Sequence, residues 1–281
     1  MNLLYLGLIM SQLSAPNDGT PVKTPAAQTA PAKSPLPQEV LDLFEARSVT
    51  YTGGEYMNEK FEYRLLKPAK IEPGKHYPLV LFLHGAGERG TDNVKQLLYL
   101  PQWIVEPANR EKYPCFLIAP QCRESKRWAE VDWSKDVADP MPPLGDQMKV
   151  VLKIMDEVLA SQPVDRRRLY LTGLSMGGYG SWDLGMRHPE RFAAVAPVCG
   201  GGDETQAAKL KDVPVWAWHG DQDKAVPVER SRRMIDAIRK AGGSPKYTEL
   251  PGVGHNSWNQ AYHGEGNLLE WMFAQVKDKA P

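Results

Sequence analysis

The chain of 281 residues carries 34 Lys+Arg against 34 Asp+Glu, so its formal charge at neutral pH is zero, and 42% of it is hydrophobic. That length and apolar share can bury a sizeable core, while the lack of a basic field argues against nucleic acid as a partner. Three cysteines make no disulfide framework, no apolar run nears the ~20 residues of a membrane-spanning helix, and eight tryptophans are more than a core obviously requires.

The first ten residues, MNLLYLGLIM, followed by SQLSA up to Ala15, read as the apolar region and small-residue end of an export signal at 1–15. The signal is imperfect: no Lys or Arg precedes the apolar stretch, and Leu13 is a poor match to the small residue expected three before a cut after Ala15. An unstructured start is the alternative. Six prolines fall among Ala, Thr and Ser between 15 and 38 with no apolar periodicity. Residues 16–39 are therefore expected to be a disordered linker ahead of one folded domain at 40–281, in a protein that is secreted or periplasmic.

From residue 48 short β-rich runs alternate with helical patterns. VTYT at 49–52 and FEYRLL at 61–66, separated by Gly53 and Gly54, predict an antiparallel pair. Four continuous apolar runs follow at 79–83, 115–119, 169–172 and 192–198, then two more strands at 213–218 and 246–250. Continuous rather than alternating hydrophobicity is the mark of strands covered on both faces of a parallel sheet. Val151, Ile154, Met155 and Val158 lie on one helical stripe, and Leu269, Met272, Phe273 and Val276 repeat that spacing. Residues 228–241 stop at Gly242, a helix C-terminal signal. The order of elements predicts a single doubly covered α/β sheet.

Directly after the strand at 169–172 the chain reads GLSMGGYG, a G-x-S-x-G motif between a strand and a helix. The glycines at 173 and 177 allow a sharp turn that would otherwise collide with its neighbours, and the turn projects the hydroxyl of Ser175. A serine is a weak nucleophile and needs a base oriented by a third group. On such a turn the partners follow in the order acid, then histidine, each beyond a later strand. HGDQDKAVP after 213–218 offers Asp221 and Asp223. Asp221, beside the strand, is expected to bind turn amides; Asp223 lies farther into the loop and is preferred as the acid. GVGHNSW offers His255 as the base, ahead of its rival His263. His84 and His219 precede glycine at strand ends and are read as turn-stabilising, and His188 as capping.

Acyl transfer also needs backbone donors at the developing oxyanion. One is the N–H of Met176, next to the nucleophile. The other comes from HGAGERG at 84–90, where Ala86 is assigned, with Gly87 as alternate; Glu88 and Arg89 are read as a local ion pair holding the loop.

Together LFLHGAGERG, TGLSMGGYGSWDLGMRHPERFAAVAPVCGGGD, HGDQDKAVP and GVGHNSW resemble the α/β-hydrolase superfamily, especially its esterase and dienelactone-hydrolase-like branch, also labelled phospholipase/carboxylesterase or prolyl-oligopeptidase-like. The resemblance spans residues ~48 to 277 and implies an α/β-hydrolase fold, an eight-stranded mostly parallel sheet with helices on both faces. It also carries the catalytic triad onto Ser175, Asp223 and His255. No large lid domain is visible. Between 120 and 145 a long loop holds Trp128 and Trp133. With Trp258 these could wall an aryl acyl group or a sugar ring, or could instead pack the loop onto the domain; Trp182, on the helix behind the nucleophile, is read as core. Cys122 and Cys199 could pair in an exported protein, with buried free thiols the favoured reading. No zinc-type Cys/His spacing and no HExxH occurs, so neither metal nor cofactor is expected.

These readings predict a serine carboxylesterase acting on small-molecule or polysaccharide-linked esters, acetyl or feruloyl. A serine peptidase or thioesterase on the same fold is the alternative, and a catalytically silent binding module the third reading.

Overall fold

In the computed structural model, which describes residues 36–279 except 134, 138, 139 and 265, the continuous apolar runs are the inner strands of one sheet. The expected export segment, and the linker up to residue 35, lie outside the described residues. Helix α1 (Gln38–Asp42) leads into strands β1 (Phe44–Gly53) and β2 (Tyr56–Leu66), which pair antiparallel around Gly54 at φ +56°. Both strands outrun the pattern in the sequence, because their ends, largely exposed apart from Phe44, pair through the backbone and show no sustained apolar alternation. The chain continues through β3 (Tyr77–Leu83), α2 (Leu100–Ile104), α3 (Pro107–Lys112), β4 (Phe116–Pro120), α4 (Asp146–Ser161), β5 (Val164–Leu174) and α5 (Met176–Arg187). It ends with β6 (Ala194–Val198), β7 (Trp216–Gly220), α6 (Glu229–Lys240), β8 (Lys246–Leu250) and α7 (Leu268–Phe273).

The eight strands lie in the order β1-β2-β4-β3-β5-β6-β7-β8; β2 is antiparallel to both its neighbours and every other pairing is parallel. All seven positions of β3 are buried, since each face has its own cover. Successive side chains point to opposite faces of a strand. Leu79, Leu81 and Leu83 accordingly join a core with Ile154 of α4, Trp182 of α5 and Ile235 of α6, while Val80 and Phe82 join another with Leu100 of α2 and Met272 of α7.

The apolar stripe at 269–276 predicts a helix through Val276, but α7 stops at Phe273 and Val276 is exposed. Tyr170 Oη lies 3.0 Å from the Gln275 carbonyl and 3.3 Å from that of Phe273. It supplies a donor where helix-end carbonyls need one, and Lys277 N–H then pairs with the Arg167 carbonyl at 3.0 Å, turning the chain back along β5. Among the described residues no helix is long and apolar enough to cross a membrane.

Candidate active site

Strand β5 ends at Leu174 and α5 begins at Met176, so the whole turn falls on Ser175, with φ 54° and ψ −118°. A non-glycine residue there is strained and persists only where its surroundings hold it. The Ser175 N–H is held by the Val198 carbonyl of β6 at 3.0 Å. Helix α5 passes so close to β3 that a Cβ on Gly177 would lie 1.8 Å from the Leu83 carbonyl oxygen, and one on Gly173 2.5 Å from the same atom. These two glycines let the turn form.

His255 brings Nε2 to 2.9 Å from Ser175 Oγ and Nδ1 to 2.7 Å from Asp223 Oδ2. A carboxylate accepts, so Nδ1 carries the proton and the Nε2 lone pair faces the serine hydroxyl. Asp223 has a fully buried side chain, and its Oδ1 accepts the N–H groups of Ala225 at 2.8 Å and Val226 at 2.9 Å. Burial opposes its ionisation, but hydrogen bonds from His219, His255 and the Val226 amide outweigh burial and hold the carboxyl well below its usual range. Asp221 instead accepts the Gly252 N–H at 2.7 Å, bracing the loop after β7 against the one after β8. His263 pairs with Glu106 at 3.0 Å on the surface, outside this chain of hydrogen bonds. His188 ends α5, as its capping reading expects.

His219, read from sequence as a turn histidine, places Nε2 3.2 Å from Asp223 Oδ2. Its spacing, four residues before the acid in HGDQD, was the available signal. Cys199 is also near: a thiol, a carboxylate and an imidazole from Cys199, Asp223 and His255 lie within 4.8 Å of one another, although the last two are already bonded to each other. All three cysteines are free and buried, so no Cys122–Cys199 bond forms. Burial pushes the Cys115 thiol up to about 12, and those of Cys122 and Cys199 up as well.

The loop after β3 carries a tight 3-10 turn at Ala86–Glu88. Burial lowers the His84 imidazole to about 4 against the opposing pull of the Gly85 carbonyl, so the ring is neutral near pH 7. Its Nδ1–H donates to that carbonyl at 2.6 Å and its Nε2 accepts the Cys122 N–H at 3.0 Å. Arg89 holds this loop through backbone acceptors, donating to the carbonyls of Ala86 and Lys126 at 2.8 and 3.2 Å. Met176 heads α5, so its N–H is one of the first-turn donors without a helical partner.

The tryptophans divide. Trp128 is 2% exposed; its Nε1–H donates to the His84 carbonyl at 3.0 Å, and its Cβ would be 2.7 Å from a Cβ on Gly180 of α5. The wall reading for Trp128 is thus corrected to the packing one, because an indole wedged beneath the loop has no face left for substrate. Trp133 is half-buried, with the Arg127 guanidinium 4.5 Å over its ring and Tyr179 6.5 Å away. Trp258 is half-buried and meets the His255 ring edge-on at 5.3 Å. Trp182 is fully buried.

A strained serine turn on an inner strand of a mostly parallel sheet, with a helix packed behind it, is the α/β-hydrolase fold, and the protein is a serine hydrolase. Residues 69–264 match the phospholipase/carboxylesterase family, and the chain belongs to that family of carboxylic ester hydrolases. Over 215 residues it is 23% identical to the probable feruloyl esterase C of Aspergillus niger, covering 76% of this chain and 74% of that protein. A putative carboxymethylenebutenolidase of Salmonella typhimurium is 29% identical over 133 residues, 41% of this chain and 49% of that one. A thermostable esterase of known structure superposes with a TM-score of 0.77 at 35% identity, covering 85% of this chain and 64% of that longer one.

Proposed function

We propose that this carboxylesterase releases aryl acyl groups of the feruloyl type from esters on plant polysaccharide, through an acyl-enzyme on Ser175. The continuous hydrogen-bond chain from Ser175 Oγ through His255 to the buried carboxylate of Asp223 carries the reading. Ser175 Oγ attacks the ester carbonyl carbon as His255 Nε2 takes its proton. The N–H groups of Ala86 and Met176 hold the oxyanion, and His255 passes the proton to the departing alcohol oxygen. Water then repeats the sequence on the acyl-enzyme and frees the acid. Asp223 keeps the His255 proton on Nδ1 and stabilises the imidazolium formed in each half-reaction.

Support for an aryl acyl group comes from Trp258 against His255, from Trp133, and from the likeness to a probable feruloyl esterase. Acetyl esters on the same polymer are the second substrate class. The apolar start and proline-rich segment support a secreted or periplasmic location, with 40–281 as the catalytic domain.

Turnover of methyl ferulate, p-nitrophenyl acetate and acetylated xylan tests the proposal. Methyl ferulate should have the highest kcat/KM, and Ser175→Ala should lower it roughly 10^6-fold. Turnover of acetylated xylan alone would overturn the acyl assignment. Full activity in Ser175→Ala would overturn the mechanism.

A further inference from the structure

His219, fully buried at the end of β7, faces two acceptors with one nitrogen: Nε2 lies 3.2 Å from Asp223 Oδ2 and 3.1 Å from the Val226 carbonyl oxygen. Its Nδ1 lies 2.7 Å from Ser231 Oγ of α6, which is 2.9 Å from the Gly200 carbonyl. A bare imidazole nitrogen would be repelled by a carboxylate and a carbonyl at that range, so Nε2 carries a proton and donates it. Asp223 Oδ2 then meets two imidazole N–H groups, that of His255 at 2.7 Å and that of His219 at 3.2 Å, the latter shared with the Val226 carbonyl, while Oδ1 receives two backbone amides. Four donors on one buried carboxylate hold its rotation and spread its charge.

We propose that His219 is a positioning residue of the triad: it holds Asp223 Oδ2 against His255 Nδ1 and moderates the negative charge that His255 meets. This rests on the reading of Asp223 as the triad acid. A carboxylate that loses a donor becomes more basic and stabilises the His255 imidazolium more strongly. Loss of the His219 N–H therefore moves the acid limb of kcat/KM to higher pH, and lowers kcat because the carboxylate is free to turn.

Other groups facing this pair remain in place. From β8, Glu249 is the register partner of His219 and is itself bound by Arg232 of α6 and by Tyr247. From the end of β6, the Cys199 thiol stands beside Asp223 and His255.

Two variants separate this role from a merely structural one. His219→Gln keeps an N–H where Nε2 stands and should retain kcat within about threefold with the acid limb unmoved. His219→Phe should lose about 10- to 100-fold in kcat at unchanged KM, short of the ~10^4-fold cost of a lost orienting carboxylate, and its acid limb should rise. A folded His219→Phe with the parent profile, or one whose kcat falls while the limb stays fixed, would overturn the proposal. Spectra of the unaltered protein with 15N-labelled histidine provide a readout independent of folding. They should show His219 protonated at Nε2, and an unprotonated Nε2 would overturn the proposal directly. Asp223→Asn with parental kcat would instead overturn the triad reading itself.

Discussion

The guanidinium of Arg89 donates from Nε to the Ala86 carbonyl at 2.8 Å and from Nη1 to the Lys126 carbonyl at 3.2 Å, tying the loop after β3 to the loop after β4. It orients the peptide plane that joins Ala86 to Gly87, beside the N–H proposed to meet the oxyanion. Removing an oxyanion donor outright costs about 10^2- to 10^3-fold in kcat. Arg89→Ala should therefore cost up to about 100-fold, chiefly in kcat, with KM little changed. Arg89→Lys should not restore the rate, since a single ammonium cannot span both carbonyls. Steady-state kinetics on p-nitrophenyl acetate would reveal either outcome, and a change confined to KM would contradict this role.

Strain at Ser175 leads to a second prediction. Its φ of 54° with ψ of −118° costs a side-chain-bearing residue about 1–3 kcal/mol that glycine largely avoids. Ser175→Gly should abolish turnover yet raise the melting temperature by a few degrees, at about 2–4 °C per kcal/mol for a domain of this size. Thermal melts beside Ser175→Ala would isolate the backbone contribution. A lower melting temperature in the glycine variant would contradict the strain.

Acid sensitivity should begin at His84. Burial lowers the folded-state value from 6.5 to about 4. Between those values the unfolded chain binds a proton that the folded one refuses. The stability contributed by neutral His84 is thus complete above 6.5 and is lost as the pH falls toward 4, a loss of about 3 kcal/mol in all. Protonation also sets an N–H against the Cys122 amide that His84 Nε2 now accepts. Melting temperature against pH should fall through this window in the parent. It should fall less steeply in His84→Asn, which starts less stable, and parallel slopes would rule out His84 as the titrating group.

The divided tryptophans predict divided phenotypes. Trp128→Ala should destabilise the fold by about 3–5 kcal/mol, because it empties a buried site and leaves the His84 carbonyl without its donor. Trp133→Ala should leave the melting temperature nearly unchanged and raise KM for methyl ferulate more than for p-nitrophenyl acetate. Denaturant unfolding paired with kinetics on both esters would detect the contrast. Equal effects on both substrates would remove Trp133 from acyl recognition.

Local backbone chemistry explains which features were legible without coordinates. Continuous apolar runs such as 79–83 announce strands covered on both faces, and the Gly-flanked Ser175 announces its turn, because both requirements act within a few residues of chain. The order of Ser175, Asp223 and His255 follows in turn from a parallel sheet, whose loops after β5, β7 and β8 open at one edge. The apolar stripe runs past the true end of α7 because that end depends on Tyr170, a residue about a hundred positions away.

Sequence alone thus determined the sheet, the serine turn and the strand ends that carry its partners, all of which rest on the period and the steric needs of neighbouring residues. Tertiary structure decided that Trp128 lies under the loop, that Arg89 grips carbonyls, and that His219 reaches the carboxylate of Asp223. Each of these depends on how closely separate segments approach and on which buried donor must find an acceptor there, and no spacing along the chain encodes that distance.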